Sequence, residues 1–340
     1  MADKLKGQTL VYENPPHIIE KVTIVGPEES KGPYGNKFDM VCKDPKCGKS
    51  SWEKGEKEMV FKAVKKTLKK SSIAANDIDM IIGGDLLDQL ITANYVARDF
   101  EVPFIGIYGA CSTMIEALAL GTSFMDGGFA DLVMAVASSH YQTAERQYRT
   151  PLEYGAQYPP SKQYTVTGAG VYLLGWLGGQ TCITQSTFGK VIDLGVKDAN
   201  NMGGAMAPAA ADTIIQNFKD LNRSPQDYDL ILTGDLGRIG LKVLKSLLKE
   251  NNIQTGNKLK DCGALIFGNK KKYGAGGSGC AASAVLFGSI IIPGLISGEL
   301  NRVMIIGTGA LLSPLTIKQN ESIPAVAHAV VVERIPGGRN

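Results

Sequence analysis

The chain of 340 residues predicts an α/β fold built from two copies of one unit, its sheets covered by helices on both faces. Three observations carry that expectation. A strand motif occurs twice, the strands are apolar along their whole length, and the helices that follow them are rich in small residues. Asp77-Ile-Asp-Met-Ile-Ile-Gly-Gly-Asp85-Leu86 aligns with Asp227-Tyr-Asp-Leu-Ile-Leu-Thr-Gly-Asp235-Leu236 at an offset of 150. Self-similarity at that distance marks a duplicated architecture. Apolar runs without alternation belong to parallel or mixed sheets with neither face in water. Ala, Gly and Ser in place of Lys and Glu place a helix between two sheets.

Taken in order, Lys54 to Lys70 is basic, but Val60, Phe61, Val64 and Leu68 form an apolar stripe within it, the pattern of an amphipathic helix. Gly109-Ala110-Cys111-Ser112 opens a small-residue helix, and Leu132 to Ala137 follows as a strand. Gly168-Ala169-Gly170 and the run Val171 to Trp176 close the first half. The second repeats the order, with Gly277-Ser278-Gly279-Cys280-Ala281 opening its helix and Val303 to Ile306 its strand. The halves are expected at 1–177 and 178–340. Asp85 and Asp235, matched across the repeat, are expected to cap the helices after them. Residues 138–167 form a long polar excursion bearing Arg146, Arg149 and three prolines. Loops of that length are usually functional or disordered, and Tyr141, Tyr148, Tyr154, Tyr158 and Tyr164 favour an ordered one.

Lys and Arg number 36 against 33 Asp and Glu, a formal charge of +3, so nucleic acid is not an expected partner. Six scattered cysteines and no secretory signal indicate a reducing compartment. Cys42 and Cys47 lack a second pair or a nearby histidine for zinc and are expected as free thiols in a surface loop. Gly274 to Gly298 carries no charge, yet its Pro293 and seven glycines fit a buried helix better than a membrane span.

Gly-Ala-Cys-Ser at a strand-to-helix turn in a duplicated unit resembles the thiolase superfamily. Val166-Thr167-Gly168-Ala169-Gly170 is similar to a glycine-rich segment of the ketoacyl synthases. The resemblance implies a five-layer α-β-α-β-α fold with mixed sheets, a homodimer formed through an edge strand of the first half, and a nucleophile position at Cys111. At a helix N-terminus a thiol pKa is lowered, so a reactive Cys111 and a buried inert one both remain open. The partners that acyl transfer needs are missing from the pattern. Gly234 stands where ketoacyl synthases carry a histidine, Ser278 where they carry an asparagine, and Ala325 near the second thiolase cysteine. Without oxyanion donors a cysteine is a poor acyltransferase.

Longer strings, among them Ala93-Asn-Tyr-Val-Ala-Arg98, Thr143-Ala-Glu-Arg-Gln147, Ala205-Met-Ala-Pro-Ala-Ala-Ala-Asp212 and Thr308-Gly-Ala-Leu-Leu-Ser-Pro314, resemble the stage V sporulation protein AD family. That resemblance implies a non-catalytic protein of spore formation and germination that binds dipicolinic acid, as free acid or calcium chelate, for uptake into the spore. It implies SpoVA-complex membrane proteins as partners, peripheral placement on the cytoplasmic side of the spore inner membrane, and no cofactor or structural metal. The expected ligand residues are Cys111, His140, Arg146, Arg149, Ser278, Cys280 and His328. Arg146 and Arg149 offer bidentate contacts to carboxylates, or ordinary ion pairs to Glu145 or Glu153. His140 and His328 are either ligand donors or satisfied core histidines. The alternative function is a Cys111-dependent acyltransferase or thioesterase.

Overall fold

The computed structural model describes residues 3–4, 7–148 and 159–335. Its strands are β1 (Asp3–Lys4), β2 (Thr9–Val11), β3 (His17–Val25), β4 (Met40–Val41), β5 (Met80–Gly84), β6 (Phe104–Gly106), β7 (Val133–Ser139), β8 (Tyr164–Thr165), β9 (Gly168–Gly175), β10 (Thr181–Thr187), β11 (Leu230–Thr233), β12 (Leu259–Asp261), β13 (Gly277–Ser278), β14 (Arg302–Ala310) and β15 (Ala325–Arg334). The main path runs β12-β11-β14-β15-β10-β3-β9-β7-β5-β6. It reads as two five-stranded sets with one pattern. β3 and β10 each lie antiparallel to β9 and β15, which are antiparallel to β7 and β14; β5 and β11 then add in parallel, followed in parallel by β6 and β12. The sets join at one antiparallel pairing, Cys182 with His17.

The helices complete the layers: α1 (Trp52–Ser71), α2 (Ile91–Phe100), α3 (Thr113–Asp126), α4 (Tyr141–Tyr148), α5 (Met202–Leu221), α6 (Gly237–Glu250), α7 (Cys262–Ile266), α8 (Cys280–Leu286), α9 (Ile292–Ser297) and α10 (Pro314–Lys318). α1 packs on β3 and β9, and α5 on β14 and β15. Between the sets lie α3 and α8, touching each other, with α3 against β7, β14 and β15 and α8 against β7 and β9. Their sequences explain the position. Every residue of α8 is buried, and small side chains allow close approach: a Cβ on Gly170 of β9 would come within 2.8 Å of the Ala284 backbone. A π-helical turn (Phe287–Ile291) joins α8 to α9. Cys280–Ser297 is long and apolar enough to cross a membrane, and 78% of it is buried inside the protein.

Two local expectations need correcting. Cys42 and Cys47 are buried and joined as a disulfide. The turn that closes when the Cys47 N–H donates to the Asp44 carbonyl brings their Cα atoms to 5.1 Å, within bonding range. The C-x4-C spacing thus reflects a bridged turn packed among Met59, Val60 and Val64. The other four cysteines are free and buried. Asp85 does cap its helix, accepting from the Leu87 and Ala93 N–H groups at 2.9 and 2.8 Å. Its counterpart Asp235 does not: the first N–H groups near α6, on Leu236 and Gly237, go to Asp261 instead.

Candidate functional site

The site forms where the start of α3 meets β14 and the β8–β13 ribbon. After β6 the chain makes a tight turn, with Ala110 at φ 50°, a left-handed conformation uncommon for a residue with a side chain. Ser112 Oγ donates to the Gly109 carbonyl at 2.7 Å and Thr113 Oγ1 to the Ala110 carbonyl at 2.7 Å. Glycines in β14 make room for this elbow, since a Cβ on Gly309 would lie 2.2 Å from the Gly109 carbonyl oxygen. Cys111 is thereby held, buried, on the wall of a cavity of about 40 Å³ shared with Tyr108, Tyr148, Thr165, Ser278 and Leu312.

The thiol's surroundings do not favour a thiolate. Burial pushes the Cys111 pKa well up, and the neighbouring Asp235 carboxyl, its hydrogen-bond partner, adds to the rise. Of the two alternatives left open by the sequence, these surroundings favour the buried inert thiol, because desolvation and a facing acid outweigh the dipole. Asp235 accepts from the Gly279 N–H and from Thr308 Oγ1, each at 2.8 Å, and burial raises its pKa to about 7. Cys280 is also buried; its Sγ donates to the Ser138 carbonyl at 2.8 Å, and burial together with Glu56, Asp85 and Asp235 raises its pKa. Glu56 accepts from Ser138 Oγ at 2.8 Å, and burial, then the Asp85 charge, lifts it to about 8. The groups around the cavity are therefore neutral or acidic.

Of the expected ligand residues that the structure describes, only Cys111 and Ser278 line the cavity. Cys280 lies behind it. His140 is buried at the head of α4, its Nε2 hydrogen-bonded to the Pro45 carbonyl at 2.7 Å, and burial lowers its pKa. That bond ties the ring to the disulfide turn. His328, in β15, accepts at Nδ1 from the Gly189 N–H at 3.2 Å and packs edge-on to Phe188; burial lowers it to about 4, so it stays neutral. Arg146 points outward, paired with Glu53 and set over Trp52. Glu145, one suggested partner, binds Lys162, and Glu153, like Arg149, lies outside the described residues. The site residues missed at first are Tyr108, Tyr148 and Asp235. The tyrosines carry no motif, and the Gly-Asp repeat made Asp235 look like a second Asp85.

Tyr108 and Tyr148 close the mouth. Tyr148 donates its hydroxyl hydrogen to the Leu86 carbonyl at 2.5 Å, so its oxygen accepts from the Tyr108 hydroxyl. Tyr108 is partly exposed, and burial raises its pKa to about 12, so the pair stays protonated and intact at neutral pH. Tyr148→Phe removes both bonds. At about 1 kcal/mol for each, the open form becomes roughly thirtyfold more populated, and alkylation of Cys111 by a neutral maleimide should quicken by about that factor.

Two sheets around paired central helices, with a cysteine at the head of one of them, define a thiolase-like protein. Similar solved structures include 3-oxoacyl-[acyl-carrier-protein] synthase III from Aquifex aeolicus, with 14% identity, 94% of this chain and 99% of that one covered, and a TM-score of 0.57. Human mitochondrial 3-ketoacyl-CoA thiolase in complex with CoA gives 12%, 95%, 99% and 0.58. The particular branch is set by sequence. The profile of the stage V sporulation protein AD family matches residues 6–333, and stage V sporulation protein AD of Bacillus subtilis is 49% identical over 98% of this chain and 99% of its own length. The chain belongs to the stage V sporulation protein AD family.

Proposed function

We propose that the chain is a non-catalytic ligand-binding protein of spore formation, and that its Cys111 cavity takes up dipicolinic acid, pyridine-2,6-dicarboxylate, for delivery to the developing spore. One observation carries the non-catalytic reading: among the described residues no imidazole lines the cavity, and the cysteine faces the acid Asp235. Thioester chemistry needs a thiolate and donors for an oxyanion, and this arrangement supports neither.

The cavity also bears on the form of the ligand. Small-molecule pockets usually measure about 300–1,000 Å³, so entry requires the Tyr108–Tyr148 pair to part. Among the described residues no cation lines the cavity, and the acids Asp235, Glu56 and Asp85 stand close behind it. A free dianion would find no counter-charge there. The calcium chelate, whose charges cancel, suits the hydroxyls of Tyr108, Tyr148, Thr165 and Ser278. Calorimetric titration of the whole chain is expected to give one site per chain in that cavity, filled when calcium accompanies the acid, and weakened by Ser278→Val. No heat and no thermal stabilisation with either form would reject the reading.

As a family property, the protein is proposed to sit peripherally on the cytoplasmic face of the spore inner membrane with other SpoVA-complex proteins. Homodimerisation is proposed through β6, the end strand of the sheet path.

A further inference from the structure

A second concavity lies on the opposite side of the β8–β13 ribbon from the Cys111 cavity. In the ribbon, Thr165 and Ser278 face the inner cavity, whereas Tyr164 lines the outer cleft. The cleft measures about 740 Å³. Its floor is fixed by backbone bonds, with the Ala275 N–H donating to the Lys162 carbonyl and the Tyr164 N–H to that of Gly276, each at 2.8 Å. Gly274, at φ 53°, is required in that floor, because a Cβ there would lie 2.0 Å from the Lys162 oxygen.

The lining is of one sign. Lys162, Arg238, Lys271 and Lys272 border the cleft, and no acidic residue does among the described residues. Two of these cations are matched from outside it: Lys162 by Glu145 at 3.3 Å and Lys272 by Glu28 at 2.6 Å. Arg238 is held by the carbonyls of Gly268 and Gly274, which position the guanidinium, leave its charge without a carboxylate partner among the described residues and spare some of its five N–H donors. Lys271 is exposed and pairs with no carboxylate among the described residues. Aromatic faces supply the walls. Tyr141 stacks on Tyr164 with centroids 3.8 Å apart, and Tyr273 meets Tyr164 edge-on at 5.1 Å.

We infer that this cleft is a second ligand site, for a small planar aromatic dicarboxylate in its fully charged form. The half-buried Tyr141–Tyr164 pair offers an aromatic surface for a flat ring, Tyr273 being buried and stacked on Phe267, while Arg238 and Lys271 bind carboxylates, the first by planar paired donors and the second as a point charge. The two concavities thus differ in the charge they accept: the outer cleft suits the free dianion and the inner cavity a neutral species. The choice of probe, though not the cleft itself, rests on the function proposed above.

Chemical footprinting of the whole chain separates the two sites. Lys271 acetylation reports on the cleft and Cys111 alkylation on the inner cavity. Calcium-free pyridine-2,6-dicarboxylate and benzene-1,3-dicarboxylate, at saturation, are expected to slow Lys271 acetylation about tenfold. Inorganic phosphate at equal concentration should leave it unchanged, and Arg238→Gln should abolish the protection. Lys271 acetylation at the same rate with and without the dicarboxylates overturns the inference, and Cys111 protection by pyridine-2,6-dicarboxylate with calcium in that case leaves the inner-cavity reading intact. Equal protection by phosphate also overturns it, because the cleft would then select charge alone. Protection of Lys271 without protection of Cys111 by the calcium-free acid is the expected outcome, whereas Cys111 left unprotected when calcium accompanies the acid counts against the inner cavity. The wild-type footprint decides these outcomes even if the Arg238 variant folds poorly.

Discussion

Asp261→Ala is expected to lower the unfolding free energy by about 4 kcal/mol, a large loss for one surface-remote side chain with no part in ligand contact. The carboxyl is buried and takes four donors. Oδ1 accepts from the N–H groups of Gly237 and Ala264 at 2.9 and 2.8 Å; Oδ2 accepts from the Leu236 N–H and Thr233 Oγ1, each at 2.8 Å. Alanine leaves the three N–H donors without an acceptor, each costing on the order of 1–3 kcal/mol, while Thr233 Oγ1 keeps the Lys260 carbonyl at 3.2 Å and removal of a desolvated acid offsets part of the loss. The same carboxyl binds the end of β11, the start of α6 and the start of α7 into one unit. That unit carries Gly234 and Asp235, so the variant should also loosen the Asp235 contact to Cys111 and speed its alkylation. Denaturant midpoints give the stability loss, and a shift within about 1 kcal/mol of wild type would contradict the assignment.

Thermal stability should peak in mildly acid solution and fall as pH rises towards 8, against the common preference for neutrality. Burial raises the pKa of Glu29 to about 7, Glu56 to about 8, Asp85 to about 6, Asp235 to about 7 and Asp261 to about 6. In the unfolded chain these groups titrate near pH 4. Between about pH 4 and pH 8 the folded state therefore holds more protons than the unfolded one, and stability declines through that window. The opposite trend applies below pH 4. There Glu28, held down to about 2 chiefly by Lys272, and Asp39, lowered by Lys21 against its own burial, lose their pairing energy as they protonate. The melting temperature should fall by several degrees between pH 5 and pH 8.5, most steeply between pH 6 and pH 8. Glu56→Gln should flatten part of that slope. A melting temperature that rises across the range would show that these carboxyls ionise freely in the folded protein.

The backbone was more legible than the chemistry. The repeated strand at Asp85 and Asp235 exposed the duplication because apolar strands and tight Gly-Asp turns are local patterns that a sequence displays directly. Charge placement depends on which side chains the fold brings together, and there local reading failed in a consistent way. Arg146 sits on the excursion that borders the cavity, but α4 turns it to Glu53 on α1. His328 occupies a strand of the second set, yet its ring faces Phe188 and Gly189. The helix-dipole argument at Cys111 was sound for an exposed thiol and lost to burial and to Asp235, 124 positions away. Gly234 behaves otherwise. A Cβ there would meet its nearest neighbours at 3.4 Å, an ordinary contact, so the backbone does not compel glycine where condensing enzymes place histidine.

The central claim is that Cys111 occupies a nucleophile's position without a nucleophile's environment. Intact-mass spectrometry of the whole protein after incubation with acetyl-CoA or a long-chain acyl-CoA tests it directly. The account predicts an unmodified mass over hours at pH 7.5, for wild type and Cys111→Ser alike. A stoichiometric acyl adduct that forms within minutes on the wild type and is absent from Cys111→Ser would contradict it.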